Sequence, residues 1–88
     1  MNKVIYVINK LEYERLLKVC KTRREMQEIS KSRMAEMCNV TRQSIYNFEN
    51  NVGSENLDML TKYALVLDNE EIFKTMEKSL YERKEINL

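Results

Sequence analysis

Apolar residues along most of this chain recur three and four positions apart, the spacing that places side chains on one face of a helix. Short polar residues stand before successive stripes, where a helix start needs acceptors for its unpaired backbone N–H groups. The predicted caps are Asn9, Ser30, Thr41 and Asn56. A fifth helix is predicted from about Asn69, because the acidic pair that follows suits the positive end of the helix dipole.

The amino-terminal segment has a different pattern. Residues 4–8, VIYVI, form an unbroken β-branched and aromatic run that predicts a strand. A strand needs a partner for its backbone groups. This strand-like arm, residues 1–8, is therefore expected either to pair antiparallel with a second copy or to pack on the terminal helix. That helix is predicted over residues 69–88, with an apolar stripe of Ile72, Phe73, Met76, Leu80 and Tyr81.

Residues 30–51, SKSRMAEMCNVTRQSIYNFENN, contain two short apolar stripes separated at Asn39. Asparagine tolerates the left-handed backbone that ends many helices, so two helices joined by a turn are predicted. In the second helix Ile45 and Phe48 face inward, which leaves Arg42, Gln43, Tyr46 and Asn47 facing outward. Arginine presents a fork to guanine, and glutamine or asparagine can pair twice with adenine. The outward face is therefore a candidate surface for reading DNA bases. The alternative is an ordinary solvated helix face.

The segment MAEMCNVTRQSIYNFEN resembles the phage repressor and Cro-like (XRE-type) helix-turn-helix family. Its Ala, turn, Thr cap, Arg-Gln, buried Ile and Glu-Asn follow the family pattern, and the resemblance extends over residues 16–67. At three places where the family usually has Gly, this chain has Glu28, Asn39 and Asn51. The resemblance implies an all-α fold in one domain, residues 1–88: a five-helix repressor-like bundle with a helix-turn-helix, to which the strand-like arm is added.

The resemblance also implies roles for single residues. The expected base contacts are Arg42, Gln43, Tyr46 and Asn47, on the exposed face of the second motif helix. The expected phosphate contacts are Ser30, Lys31, Thr41, Ser44 and Asn50, at the ends of the two motif helices. Arg24 falls where many family members carry an arginine that pairs with the residue corresponding to Glu49, so a structural ion pair is expected. The alternative for Arg24 is an exposed side chain with little effect.

The composition argues against an enzyme, because the chain has no His and its carboxylates are scattered over charged helix faces. Cys20 and Cys38 lie far apart on apolar faces, which favours buried thiols over a disulfide or a metal site. We expect no cofactor and no metal. No apolar run reaches the roughly 20 residues of a membrane span and the start lacks a signal-peptide pattern, so a cytoplasmic location without membrane attachment is expected.

The net charge is only +1, but it is unevenly distributed. Residues 15–33 hold seven basic and two acidic side chains, whereas residues 68–88 hold four basic and six acidic ones. A basic side favours double-stranded DNA as the partner. Together with this charge distribution, the resemblance implies a sequence-specific transcriptional regulator, a repressor of phage or mobile-element type, that binds a short palindrome as a homodimer. The alternative is a protein-interaction module on a helix-turn-helix scaffold, such as an antitoxin, an anti-repressor or a phage inhibitor, with a protein partner.

Overall fold

The computed structural model describes residues 2–87, which form five helices between two strands. In chain order the elements are β1 (Asn2–Ile8), α1 (Lys10–Met26), α2 (Lys31–Cys38), α3 (Arg42–Glu49), α4 (Leu57–Val66), α5 (Glu70–Lys78) and β2 (Tyr81–Asn87). The five helices form a bundle, and the two strands form a ribbon. The five-helix fold with a terminal strand is as the sequence predicts, whereas the second strand is not.

Each of these helices begins at a side-chain cap. The cap oxygen accepts the backbone N–H three residues later, at distances between 3.0 and 3.3 Å. The caps are Asn9, Ser30, Thr41, Asn56 and Asn69. Three of the five are amides and two are hydroxyls, and both kinds of oxygen are good acceptors at this position, so the helix starts are fixed by local chemistry.

Helix ends use left-handed backbone without glycine. Glu28, Asn39, Asn51 and Asp68 have φ values of 57°, 56°, 55° and 50°. The first three occupy the places where the resemblance predicts Gly, so the backbone takes the same turn with other side chains. Asparagine and aspartate tolerate this region through local hydrogen bonding, but glutamate gains no such compensation. Glu28 is therefore the strained residue of the set.

The core fills the space between all five helices. Leu16, Met34, Ile45, Leu60 and Ile72, one from each helix, are completely buried. Leu80, just after α5, is also completely buried and closes one end of the core. Leu11, by contrast, follows the α1 stripe but is 78% exposed, because it lies in the first turn, beyond the edge of the core.

The ribbon joins the two ends of the described chain. β1 pairs antiparallel with β2 in a continuous register from Asn2↔Asn87 to Ile8↔Tyr81. Most ribbon side chains are exposed, and the molecule measures 51 × 24 × 19 Å, so the ribbon projects from the bundle. None of the helices over residues 2–87 has the length and apolarity needed to cross a membrane.

The predicted helix over residues 69–88 is wrong beyond Lys78. Ser79 ends α5, with its hydroxyl close to Glu12 Oε2 at 3.1 Å. The Asn9 N–H then donates to the Leu80 carbonyl at 2.7 Å, which starts the strand pairing. Burial of Leu80 at this reversal, together with the pairing available from β1, outweighs the helical preference of the Glu, Arg and Lys residues in β2. The arm's partner in this chain is thus β2, which neither sequence-based alternative included.

Candidate nucleic-acid interface

The helix-turn-helix is built by α2, a tight turn and α3. The Asn39 N–H donates to Glu36 O at 3.1 Å and the Val40 N–H donates to Ala35 O at 3.0 Å, which satisfies carbonyls that the end of α2 leaves unpaired. Ile45 and Phe48 anchor α3 in the core, and the Phe48 ring lies 4.9 Å from that of Tyr63 between centroids. The opposite face of α3 is therefore held at the surface.

That face carries the four side chains predicted to contact bases. Arg42, Gln43 and Tyr46 are exposed and Asn47 is half-buried. Gln43 Nε2 donates to Asn47 Oδ1 at 2.9 Å, so two of them are ordered by each other. The Lys31 ammonium, at the start of α2, lies 5.3 Å from the Tyr46 ring centroid, within the range of a cation–π interaction. The exposed face of α3 and the start of α2 thus form one continuous polar surface.

Side chains expected at phosphates also have structural contacts. Ser30 Oγ accepts the Arg33 N–H, and the Thr41 and Ser44 hydroxyls lie 2.9 Å apart. Asn50 Nδ2 donates to the Tyr46 carbonyl at 2.9 Å. The Ser30 hydroxyl can still donate, Asn50 has a second amide N–H, and one hydroxyl of the Thr41–Ser44 pair keeps its hydrogen while the other donates to it. Capping and contact with an anion are therefore compatible at these positions.

Arg24 and Glu49 form a buried, bidentate pair beneath this surface. Arg24 Nε lies 2.7 Å from Glu49 Oε2, and Arg24 Nη2 lies 3.0 Å from Glu49 Oε1. Their side chains are only 7% and 0% exposed. Arg24 Nη1 also donates to the Ile29 carbonyl at 2.7 Å, and the Tyr63 hydroxyl donates to Glu49 Oε2. This network connects α1, the α1–α2 loop, α3 and α4.

The network fixes the protonation of its members. Hydrogen bonding to Glu49 raises the pKa of Arg24, which keeps the guanidinium charged. Burial, and then the hydrogen bond to Glu49, raises the pKa of Tyr63, which keeps the phenol neutral and donating. Burial followed by the nearby Glu49 charge raises the pKa of Cys20 to about 12, so this thiol is unreactive at neutral pH. These buried groups therefore keep one protonation state at neutral pH and stabilise the fold.

Two tyrosines have roles that sequence reasoning missed. Tyr63 completes the Glu49 network, although its place in the α4 stripe indicates only core packing. The Tyr13 hydroxyl accepts the Asn56 N–H at 2.7 Å and so fixes the loop between α3 and α4. A buried tyrosine needs a partner for its hydroxyl, which is a general signal, but the sequence does not say which segment supplies that partner.

Comparison with known proteins identifies the family. A helix-turn-helix family model, of the XRE, Cro and C1 type, matches residues 21–72, more than half of the chain. No curated protein and no solved structure gives a match. The matched segment runs from within α1 to the start of α5, and so includes the helix-turn-helix and the Arg24–Glu49 network but neither strand. The chain therefore belongs to the XRE, Cro and C1-type helix-turn-helix family of DNA-binding transcription regulators.

Proposed function

We propose that α3 enters the major groove of DNA and reads the sequence of a short palindromic operator, to which the protein binds as a homodimer. The observation that supports this most is the exposed face at the capped start of α3, where three types of base-reading side chain stand together. A helix of this diameter fits the major groove, and in helix-turn-helix proteins its first residues contact base edges. Occupying a promoter in this way would repress transcription, in the manner of phage and mobile-element repressors.

The four base-contacting side chains take distinct roles in this proposal. Arg42 forms a bidentate contact with guanine, and Gln43 pairs with adenine. Asn47 has its amide oxygen bonded to Gln43, so it contacts a base through its remaining groups while holding Gln43 in position. Tyr46 contributes an apolar contact to a thymine methyl or a sugar.

Phosphate contacts come from the helix ends in this proposal. Lys31 lies at the positive end of the α2 dipole, and both features attract an anion. Ser30 and Asn50 donate their remaining hydrogen bonds to the DNA backbone. The Thr41 and Ser44 hydroxyls, one of which donates to the other in the free protein, turn to donate to the DNA backbone as well. These contacts place the protein on the duplex without selecting sequence.

Two alanine substitutions separate reading from positioning. Sites selected from random DNA provide the operator, and binding is then measured on that operator and on random duplex over a range of salt. Gln43→Ala should cost about 1 to 3 kcal/mol on the operator and relax the preference at one base pair. Lys31→Ala should weaken all sequences alike and lower the salt slope by about one.

Footprinting adds a geometric test. A homodimer should protect two half-sites about 10 base pairs, roughly 34 Å, apart. Lys62→Ala is a control for lost positive charge, because this lysine lies on α4 and pairs with Asp58. Should Gln43→Ala and Lys31→Ala weaken operator and random DNA equally, α3 does not read sequence and the proposal fails.

The alternative function, a protein-interaction module, has one supporting observation. α5 and the start of β2 enclose a shallow groove in which Phe73 and Tyr81 are 38% and 46% exposed. Exposed aromatic side chains with charged neighbours are common at protein interfaces. Absence of any affinity for duplex DNA at low salt, together with tight binding of a protein partner, would favour this function over operator binding.

A further inference from the structure

Several apolar side chains of the ribbon remain exposed although its two strands are paired. Val4, Tyr6 and Tyr81 lie on one face, with exposures of 41%, 66% and 46%, and Ile86 on the other face is 40% exposed. A two-stranded ribbon is marginally stable in water and usually needs a third strand or a packed face. Over the described residues the sheet contains only β1 and β2, so each strand has one unpaired edge.

The two unpaired edges differ in charge. β1, NKVIYVI, has a single charged side chain at Lys3, whereas β2, YERKEIN, has four in succession at residues 82–85. Charged side chains, lysine in particular, are the usual protection of an edge strand against pairing with another chain. β2 has this protection and β1 does not. The edge open to another strand is therefore that of β1.

Two-fold symmetry between two copies also favours pairing through β1 over pairing through β2. In an antiparallel pair related by a two-fold axis, facing residues lie on the same face of the sheet, so the axis passes between a residue and its own copy. For β2, an axis at any residue from 82 to 85 places like charges directly opposite each other, which is destabilising. For β1, an axis at Val4, Ile5 or Tyr6 pairs apolar with apolar side chains.

We propose that β1 pairs antiparallel with β1 of a second copy, forming a four-stranded sheet in the order β2-β1-β1-β2. An axis at Ile5 lets all seven residues of each β1 overlap, whereas an axis at Val4 or Tyr6 leaves two unpaired. In this register Val4 faces Tyr6 of the other copy and Lys3 faces its Val7, so the lysines stay apart. The sheet then contains two apolar inner strands and two charged outer strands.

The arrangement leaves room for both bundles. Ile8, where β1 meets the bundle, faces Asn2 of the other copy. The two Ile8 residues are therefore six positions apart along the sheet, about 20 Å at the rise of a strand. The bundles lie at opposite ends of the sheet.

This inference rests on the homodimer of the proposed function, and cysteine cross-linking tests it independently of DNA. Ile5→Cys places two thiols at the axis, about 5 Å apart between Cβ atoms. Lys84 is the register partner of Ile5 in β2, so Lys84→Cys is the matched control. Its two copies are three strand spacings apart, about 14 Å, too far for a disulfide without backbone movement. The native thiols are buried, and the unmodified protein controls for them.

Under mild oxidation, the Ile5→Cys variant should form a covalent dimer roughly ten times faster than the Lys84→Cys variant, because only the former meets disulfide geometry. A mixture of Val4→Cys and Tyr6→Cys proteins should cross-link faster than either alone, which tests the register and does not depend on the Ile5 variant folding. The inference is overturned by equal or faster cross-linking at Lys84, or by no cross-linking at β1 in a protein that sedimentation shows to be dimeric. A monomer in sedimentation at tens of micromolar, without DNA, overturns the inference too, whereas DNA binding measured separately judges the reading role of α3.

Discussion

The bundle and the ribbon are stabilised in different ways. In the bundle, a capped start fixes each helix locally, and a completely buried side chain from every helix meets in one core. The ribbon has no buried core of its own, since most of its side chains are exposed, and its pairing joins residues up to 85 positions apart. Packing of the core therefore stabilises the bundle. The stability of the ribbon depends on contacts that its unpaired edges and exposed faces make with other molecules.

The family match covers part of the bundle and none of the ribbon. The matched residues 21–72 lie entirely within the bundle, and the ribbon lies entirely outside them. The shared part of the protein carries the helix-turn-helix, and the added part extends it with a projecting surface. The family match thus stays within the packed part of the molecule, although Leu16 and Leu80 of the core lie outside the matched residues.

The largest expected effect breaks the bundle at its buried ion pair. Glu49→Gln leaves the Arg24 charge buried without a carboxylate, which should lower the free energy of unfolding by about 3 to 5 kcal/mol. Urea unfolding followed by circular dichroism measures it. Glu36→Gln removes half of an exposed pair with Arg33 and should cost under about 1 kcal/mol. A Glu49→Gln protein within that smaller range of the unmodified one would show that the network is not stabilising.

Hydrogen exchange should distinguish the ribbon from the bundle. At concentrations where the chain is monomeric, ribbon amides should open with a free energy roughly 3 kcal/mol or more below that of core amides such as Leu60 and Ile45. Separation of the ribbon removes only Ile8 from contact with the core, whereas those helices open only with the whole bundle. Equal protection in ribbon and core would mean that the two form one cooperative unit.

A smaller effect appears at alkaline pH and belongs to the bundle alone. Burial raises the pKa of Cys20 from 9.0 to about 12, so the thiol ionises in the unfolded chain before it does in the folded one. This contribution to the free energy of unfolding should therefore be fully present below pH 9 and should decrease as the pH rises towards 12, with a loss of about 1 kcal/mol at pH 10. Cys20→Ala should reduce this slope of the unfolding free energy against pH. An unchanged slope would assign the alkaline loss to other groups, such as Tyr63.

The smallest effect concerns a helix end. Glu28→Gly should raise the free energy of unfolding by about 0.5 to 1 kcal/mol, because glycine adopts the positive φ without strain. Glu25→Gly, within α1, is the matched control and should lower stability by about 1 kcal/mol. Thermal unfolding of the two variants side by side is the measurement. If both variants are less stable, the Glu28 side chain contributes more to the free energy of unfolding than the strain of its backbone costs.

Much of the bundle could be predicted because its signals are local. The caps at Asn9, Ser30, Thr41 and Asn56 lie beside the stripes they start, and the structure places all four as predicted. The exposed face of α3 followed from the inward positions of its two anchors. Such features depend on residues within one helical turn of each other, which a sequence displays directly.

β2 could not be predicted in the same way. Tyr81 continues the α5 stripe, and the charged residues after it favour a helix by intrinsic propensity. What makes them a strand is β1, which lies more than 70 residues earlier, and no local pattern records that pairing. The Tyr63–Glu49 bond was missed for the same reason, because the partner of a buried hydroxyl is chosen by tertiary packing.

Strand order along the chain has a consequence for biosynthesis. β1 is translated before the bundle and β2 after it, so the VIYVI segment leaves the ribosome without its partner and waits until every helix has been made. A short, apolar, nearly uncharged strand in this situation matches the composition of aggregation-prone segments. The time between the translation of β1 and that of β2 sets how long this segment stays unpaired, so slow codons across the five helices should lower the soluble fraction.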